Sequence, residues 1–105
     1  MQKVLILGAK GNLGIQLAKI FSEDHEVVAW DRDDVDVTDK EMVTKKIIDL
    51  KPNVIINATG YNAVDKCEND ESEYALAKKL NGDAVGYLAD ASIKVGAVLV
   101  NFASD

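Results

Sequence analysis

The chain has 105 residues, of which 48% are hydrophobic, and a formal net charge of −6 at pH 7. This length indicates one domain, and the acidic balance argues against nucleic acid or an anionic membrane surface as a partner. With one cysteine and one histidine, the sequence offers neither an internal disulfide nor a Cys/His metal site. No apolar run is long enough to span a bilayer and the start has no signal-peptide pattern, so we expect a cytoplasmic protein without a bound metal.

The first predicted strand, residues 3–7, ends on a glycine-rich turn. Gly8, Gly11 and Gly14 follow at three-residue spacing, and an amphipathic helix pattern begins behind them. In dinucleotide-binding turns, the first glycine permits the tight turn, the second lets the backbone approach the pyrophosphate, and the third lets the helix pack close to the strand. The positive end of the helix then faces the anion. An ordinary turn between strand and helix would not require these three glycines, so the pattern predicts a dinucleotide site.

The second predicted strand, residues 26–30, is followed directly by Asp31 and Arg32. A carboxylate at the end of this strand accepts hydrogen bonds from the adenosine ribose and repels the 2′-phosphate of NADP. Arg32 either pairs with that phosphate or is a surface charge, so both NADH and NADPH stay open as cofactors. Asp36 either accepts a hydrogen bond from the adenine amino group, with Val37 against the ring, or forms a turn.

The rest of the chain continues to alternate strand and helix patterns. The predicted elements are a short third strand around residues 35–37, a helix from a capping box at 38–41 to just before Pro52, a strand at 54–57, a long helix at about 71–94 and a last strand at 97–102. This alternation predicts an α/β fold, a Rossmann-like doubly wound parallel sheet with strand order 3-2-1-4-5. In such sheets ligands bind beyond the carboxyl ends of the strands, where the strand order reverses.

Several stretches of the sequence resemble one enzyme family. The glycine spacing, together with the Asp-Val-Thr-Asp run at 36–39, resembles the extended short-chain dehydrogenase/reductase superfamily. Residues 51–68 resemble the KPDVVINAAAYTAVDKAE block of dTDP-4-dehydrorhamnose reductases, and residues 100–105 resemble the V-x-x-STD element of that family. The match spans the whole sequence and corresponds to about the N-terminal third of a family member. The resemblance implies that residues 1–105 are the NAD(P)-binding Rossmann domain of a longer reductase, with a sheet truncated after its fifth strand.

The glycine motif and the resemblance together imply roles for individual residues. The expected cofactor contacts are Gly8, Lys10, Gly11, Asn12, Leu13, Gly14, Asp31, Arg32, Asp36, Val37, Ala58, Thr59, Gly60 and Tyr61. Backbone groups of residues 10–13 would cradle the pyrophosphate, residues 58–60 would pass beneath the cofactor, and Tyr61 would lie towards the nicotinamide. Ser104 takes the family's catalytic Ser/Thr position, whose hydroxyl polarises the substrate carbonyl, and Asp105 borders the substrate pocket. The chain departs from the family pattern at Ala103 and at Thr59-Gly60.

As a family member, the whole protein would use NADPH or NADH to reduce a dTDP-linked 4-keto-6-deoxy sugar to dTDP-L-rhamnose. The family's proton donor is a Tyr-x-x-x-Lys pair behind the Ser/Thr strand. Tyr74 and Lys78 have that spacing but precede the strand, so the 105 residues alone are expected to be inactive. Two alternatives stay open, namely a non-catalytic NAD(P)-binding regulatory subunit and a nucleotide-sugar epimerase or dehydratase. A homodimer is the expected form of any assembly.

The predicted fifth strand would leave an unpaired apolar edge on the sheet. Edges of this kind pair with other chains, so we expect the 105-residue chain to self-associate. Size-exclusion chromatography of a dilution series is the check, and a monomer that is stable on dilution would contradict the expectation.

Overall fold

The computed structural model describes residues 2–59 and 82–102, and within them one parallel sheet carries helices on both faces. The strands are β1 (Lys3–Leu7), β2 (Glu26–Trp30), β3 (Val54–Asn57) and β4 (Val98–Asn101), and the helices are α1 (Asn12–Phe21), α2 (Lys40–Leu50) and α3 (Asp83–Val95). The strand order is β2-β1-β3-β4 and every pairing is parallel. The predicted Rossmann-like α/β fold is confirmed. Among the described residues no helix is both long and apolar enough to cross a membrane.

The predicted third strand is wrong, so the described sheet has four strands rather than five. Val35 and Val37 are buried, as their apolar alternation suggested, but they lie in the loop between β2 and α2. The Val35 N–H donates to the Asp31 carbonyl, and the Thr38 N–H donates to the Asp36 carboxylate. These local bonds replace a ladder between strands. The remaining four strands keep the relative order that was predicted for them.

Strand β1 is buried on both faces, which explains its continuous apolar run. Leu5 contributes to the larger core cluster, which also contains Ile47 of α2 and Leu88 of α3. Ile6 contributes to the smaller cluster on the opposite face, where Leu17 of α1 packs against it. Because all the strands are parallel, their carboxyl ends lie at one edge of the sheet. Helices pack on both faces of the sheet and hold it in place.

Two helix starts differ from the prediction. The N-cap of α2 is Asp39, one residue after the predicted Thr38, because the Asp39 carboxylate accepts a hydrogen bond from the Met42 N–H at 3.2 Å. The N-cap of α3 is Gly82, whose backbone (φ −116°, ψ −80°) is not helical. The predicted long helix over 71–94 therefore does not run through Gly82, and its first part lies outside the described residues.

Strand β4 forms the edge of the sheet on the side away from β2. Within the described part of the chain it pairs only with β3, and Val98 and Val100 are exposed on it. This is the apolar edge from which self-association is expected, and that expectation stays a prediction.

Candidate functional site

The turn after β1 is built from close backbone contacts. Gly8 has a φ of +81°, and the N–H groups of Gly8 and Ala9 both donate to the Trp30 carbonyl, at 3.0 and 3.2 Å. A Cβ at Gly8 would lie 2.9 Å from the carbonyl carbon and oxygen of Ala58. The turn therefore touches the end of β2 on one side and the loop after β3 on the other, and only glycine fits there.

Helix α1 begins immediately above this turn. Its N-cap is Gly11, and among the described residues no side chain accepts a hydrogen bond from the first helical turn. A Cβ at Gly14 would overlap the Gly8 carbonyl oxygen and lie 2.9 Å from the Ala9 Cα. Glycine at this position lets the helix start directly over the strand end. The uncapped N–H groups and the positive end of the helix dipole are suited to an anion.

A cleft of about 410 Å³ opens at the carboxyl ends of β1, β2 and β3. It is lined by Leu7, Gly8, Lys10, Gly11, Trp30, Asp31, Arg32, Asp33, Val35, Asp36, Val37, Thr38, Ala58 and Thr59. This size is within the range of small-molecule and cofactor pockets. In the described part of the chain, no group of three or more His, Cys, Asp or Glu residues is placed to hold a metal ion.

The structure brings most of the predicted cofactor residues together around this cleft. Those in its lining are Gly8, Lys10, Gly11, Asp31, Arg32, Asp36, Val37, Ala58 and Thr59. Asn12, Leu13 and Gly14 are not in the lining; they form the first turn of α1 beside it. Gly60, Tyr61, Ser104 and Asp105 lie outside the described residues.

An ion-pair cluster joins the glycine-rich turn to the end of β2. The Lys10 ammonium lies 2.9 Å from Asp31 Oδ2 and 3.3 Å from Asp33 Oδ2. The hydrogen bond from Lys10, followed by that from the Asp33 N–H, holds the pKa of the Asp31 carboxyl below its usual range. The same bond to Asp31, and then the one to Asp33, raises the pKa of Lys10. Lys10 was expected to contribute backbone groups; its side chain also reaches the predicted ribose carboxylate.

The lowered pKa of Asp31 predicts a pH dependence. The Asp31 ion pair contributes stability above the carboxyl's unfolded pKa of about 3.9, and this contribution is lost as the pH falls through the lower folded value. We expect Lys10→Met to lower the unfolding temperature only slightly at pH 6, because the Lys10 ammonium is exposed. In strong acid the Asp31 carboxyl is protonated in both proteins, so the variant and the wild type should unfold at the same temperature. Thermal unfolding from pH 6 to pH 2 measures this, with Lys19→Met as the control. A deficit in Lys10→Met that is constant with pH would contradict it.

Asp36 makes the local contacts of a turn-forming residue. Asp36 Oδ1 accepts hydrogen bonds from the Thr38 N–H at 2.9 Å and from Thr38 Oγ1 at 2.6 Å. This is the turn geometry, in which the carboxylate caps its own loop. Val37, the neighbouring residue, is 6% exposed and packs in the larger core cluster. Arg32 is exposed at the rim of the cleft.

Trp30 is a cleft residue that the sequence reasoning left unassigned. Its ring is half-buried, and the Lys46 ammonium lies 5.1 Å from the ring centroid, where a cation is attracted to the aromatic face. Lys46 also donates a hydrogen bond to the Asp34 carbonyl, which ties α2 to the loop after β2. The sequence signal that could have identified Trp30 as a cleft residue is its position directly before Asp31. Trp30 is the only tryptophan in the sequence, so its emission reports on the cleft.

Comparison with known proteins identifies similar sequences and structures. The whole chain, residues 1–105, matches the family described as the RmlD substrate binding domain. A dTDP-4-dehydrorhamnose reductase of Burkholderia thailandensis is 40% identical over 98% of this chain and 34% of its own length. The one from Aggregatibacter actinomycetemcomitans is also 40% identical, over 100% of this chain and 35% of its own length.

A solved structure with a bound cofactor is similar as well. The dTDP-4-dehydrorhamnose reductase of Bacillus anthracis, in complex with NADP, has a TM-score of 0.81 and 32% identity, covering 94% of this chain and 35% of that chain. The chain therefore spans about a third of the length of these relatives.

Proposed function

Because the chain belongs to the RmlD substrate binding domain family, we propose that it is the dinucleotide-binding part of a longer NAD(P)H-dependent reductase. The reaction we propose for the whole protein is reduction of dTDP-4-dehydro-6-deoxy-L-mannose to dTDP-L-rhamnose. The observation that carries the proposal is the cleft itself, which joins an uncapped helix N-terminus to the Asp31 carboxylate at the carboxyl edge of the sheet. This is where doubly wound sheets hold dinucleotides.

The described residues fit a dinucleotide because at two glycines the backbone lies so close to other backbone atoms that a side chain would not fit. Gly8 and Gly14 keep the space between the turn, the loop after β3 and α1 free of Cβ atoms. The pyrophosphate would lie against backbone N–H groups of residues 10–13. The adenosine ribose would hydrogen-bond to Asp31, with Arg32 placed for a 2′-phosphate at the rim. The adenine would lie over the loop that contains Val35 and Val37.

The chemistry of the reduction is divided between cofactor and protein. A bound NADPH or NADH supplies the hydride that reaches the sugar's keto carbon. From the resemblance, Tyr61 would lie towards the nicotinamide, the Ser104 hydroxyl would donate a hydrogen bond to the keto oxygen, and Asp105 would border the sugar. The proton donor would come from the part of the relatives that this chain does not span, so we expect the 105 residues alone to bind the cofactor without reducing the sugar. A cytoplasmic location and a homodimer stay predictions.

Calorimetric titration with NADH and NADPH tests the binding proposal. We expect the protein to bind a dinucleotide and Gly11→Val to lose that binding, because the added side chain projects where the pyrophosphate approaches. Gly86→Val is the matched control: a Cβ there meets nothing within 4 Å, and Gly86 does not line the cleft. A protein that is folded by circular dichroism but binds neither dinucleotide would contradict the proposal.

The reductase reaction is tested on the full-length natural protein. We expect oxidation of NADPH or NADH that depends on the dTDP-linked 4-keto sugar and that falls when Ser104 is replaced by alanine. Dinucleotide binding without any turnover of the sugar would instead favour the non-catalytic regulatory subunit.

A further inference from the structure

A side-chain network crosses the carboxyl edge of the sheet from the exposed Asn101 of β4 to the buried Asn57 of β3. Asn57 and Asn101 are partners in the parallel register of these strands, and Asn57 is 2% exposed. Asn57 Nδ2 donates to Asn101 Oδ1 at 2.7 Å. Asn57 Oδ1 accepts from the Thr59 N–H at 3.1 Å and from Thr59 Oγ1 at 2.6 Å. Both ends of the Asn57 amide are therefore occupied.

The Thr59 and Asn101 contacts favour the same orientation of the Asn57 amide. The Thr59 N–H can only donate, so it requires Asn57 Oδ1 on its side, and Asn57 Nδ2 then faces β4, where Asn101 Oδ1 accepts from it. Without Asn101, the buried NH₂ group of Asn57 would lack this partner, and Thr59 alone would hold the amide in its orientation. Rotation would direct NH₂ at the Thr59 N–H and replace an attraction with a donor-donor contact.

Thr59 is where this network reaches the cleft. Ala58 and Thr59 line the cleft, and the Ala58 N–H donates to the Leu7 carbonyl at 3.0 Å. An ideal Cβ on Gly8 would lie 2.9 Å from Ala58 backbone atoms and 3.0 Å from the Thr59 nitrogen. The loop after β3 is thus in close contact with the glycine-rich turn. Its residues Ala58 and Thr59 form what we call the cleft floor, so a small displacement of Thr59 changes the shape of that floor.

We propose that Asn101 is a positioning residue for dinucleotide binding, acting through Asn57 to hold Thr59 and the cleft floor against the Gly8 turn. The inference rests on the proposed function, because it takes the cleft to be the dinucleotide site. It adds a residue of β4 that does not line the cleft and that neither the glycine motif nor the resemblance singled out. Since β4 leads towards Ser104, the same contact would keep the floor and that strand in one register.

The test compares Asn101→Ala with a matched asparagine at the opposite edge of the sheet. Asn53 Oδ1 accepts a hydrogen bond from the Lys3 N–H at 2.8 Å, near the amino ends of the strands. We expect Asn101→Ala to lower the unfolding temperature at least as much as Asn53→Ala, since each loses one side-chain hydrogen bond and Asn101→Ala also leaves the buried Asn57 NH₂ group without that partner. Only Asn101→Ala should raise the Kd for NADH, by about tenfold, as expected for one hydrogen bond of a buried amide.

Rescue distinguishes positioning from a general loss of stability. Asn101→Asp keeps an oxygen that can accept from Asn57 Nδ2, so we expect its Kd to return close to that of the wild type. If Asn101→Ala and Asn53→Ala have equal Kd values, or if Asn101→Asp binds no better than Asn101→Ala, the inference is wrong while the proposed function stands.

A measurement without ligand separates this inference from the proposed function. Hydrogen exchange of the Thr59 amide should be faster in Asn101→Ala than in the wild type, and unchanged in Asn53→Ala. If the wild type binds neither dinucleotide, the proposed function fails, and the role of Asn101 in cofactor binding fails with it. The Thr59 exchange rates then still decide whether Asn101 positions the loop, because equal rates would overturn that part as well.

Discussion

Gly14→Ala is expected to destabilise the protein by about 2–3 kcal/mol, the upper range for overpacking, and to abolish dinucleotide binding. The added Cβ would overlap the Gly8 carbonyl oxygen and crowd the Ala9 Cα. These are backbone atoms, so no side-chain rotation can relieve the overlap. Helix α1 would have to move away from the turn, and the N–H groups of its first turn would leave the position expected for the pyrophosphate.

Gly86→Ala is the matched control, because the same substitution in another helix should have the opposite sign. Gly86 lies in α3, and a Cβ there meets nothing within 4 Å. Alanine should therefore stabilise the helix by about 0.5–1 kcal/mol through its higher propensity. Urea unfolding of both variants measures the two effects, and titration with NADH measures binding. Equal stability changes in the two variants would show that the space around Gly14 is not the limiting feature.

The second large effect is expected at Asp31. Asp31→Ala should weaken NADH binding by about tenfold to a hundredfold, the range for a hydrogen bond to a charged group. NADPH should lose less affinity, because removal of the carboxylate also removes its repulsion of the 2′-phosphate. The ratio of NADPH affinity to NADH affinity therefore rises. The Asp31 side chain is 11% exposed and is held by Lys10 and by the Asp33 N–H, so it is well ordered for this role.

Asp33→Ala is the control for charge alone. Asp33 also pairs with Lys10, at 3.3 Å, but its side chain is 79% exposed. Its removal should change either affinity by no more than about threefold, as for exposed ion pairs. Quenching of Trp30 emission by each dinucleotide provides the binding curves, with circular dichroism as the check on folding. If both aspartate variants lose NADH affinity equally, net charge governs binding and Asp31 has no specific role.

The elements that were predicted well are those with strong local signals. Continuous apolar runs marked β1 and β3, and the glycine spacing marked the turn before α1. The predicted third strand failed because the alternation of Val35 and Val37 reports burial on one side and says nothing about pairing. Local hydrogen bonds to Asp31 and Asp36 took the backbone groups that a strand would have used. The N-cap of α2 is Asp39 instead of the predicted Thr38, because both residue types are good N-caps and the two positions are adjacent.

The features of the candidate site are likewise of two kinds, those that local sequence signals predict and those that depend on contacts between distant elements. Local sequence signals were enough to predict the α/β class, the glycine-rich turn and the position of Asp31 after β2, because periodicity and residue type act over a few neighbouring positions. Three contacts became visible only in the folded chain: the Lys10 ammonium reaches Asp31, the Gly8 turn touches Ala58, and Asn101 bonds to Asn57 across 44 residues of sequence. Those contacts depend on strand register and on the approach of separate elements, which no local pattern encodes.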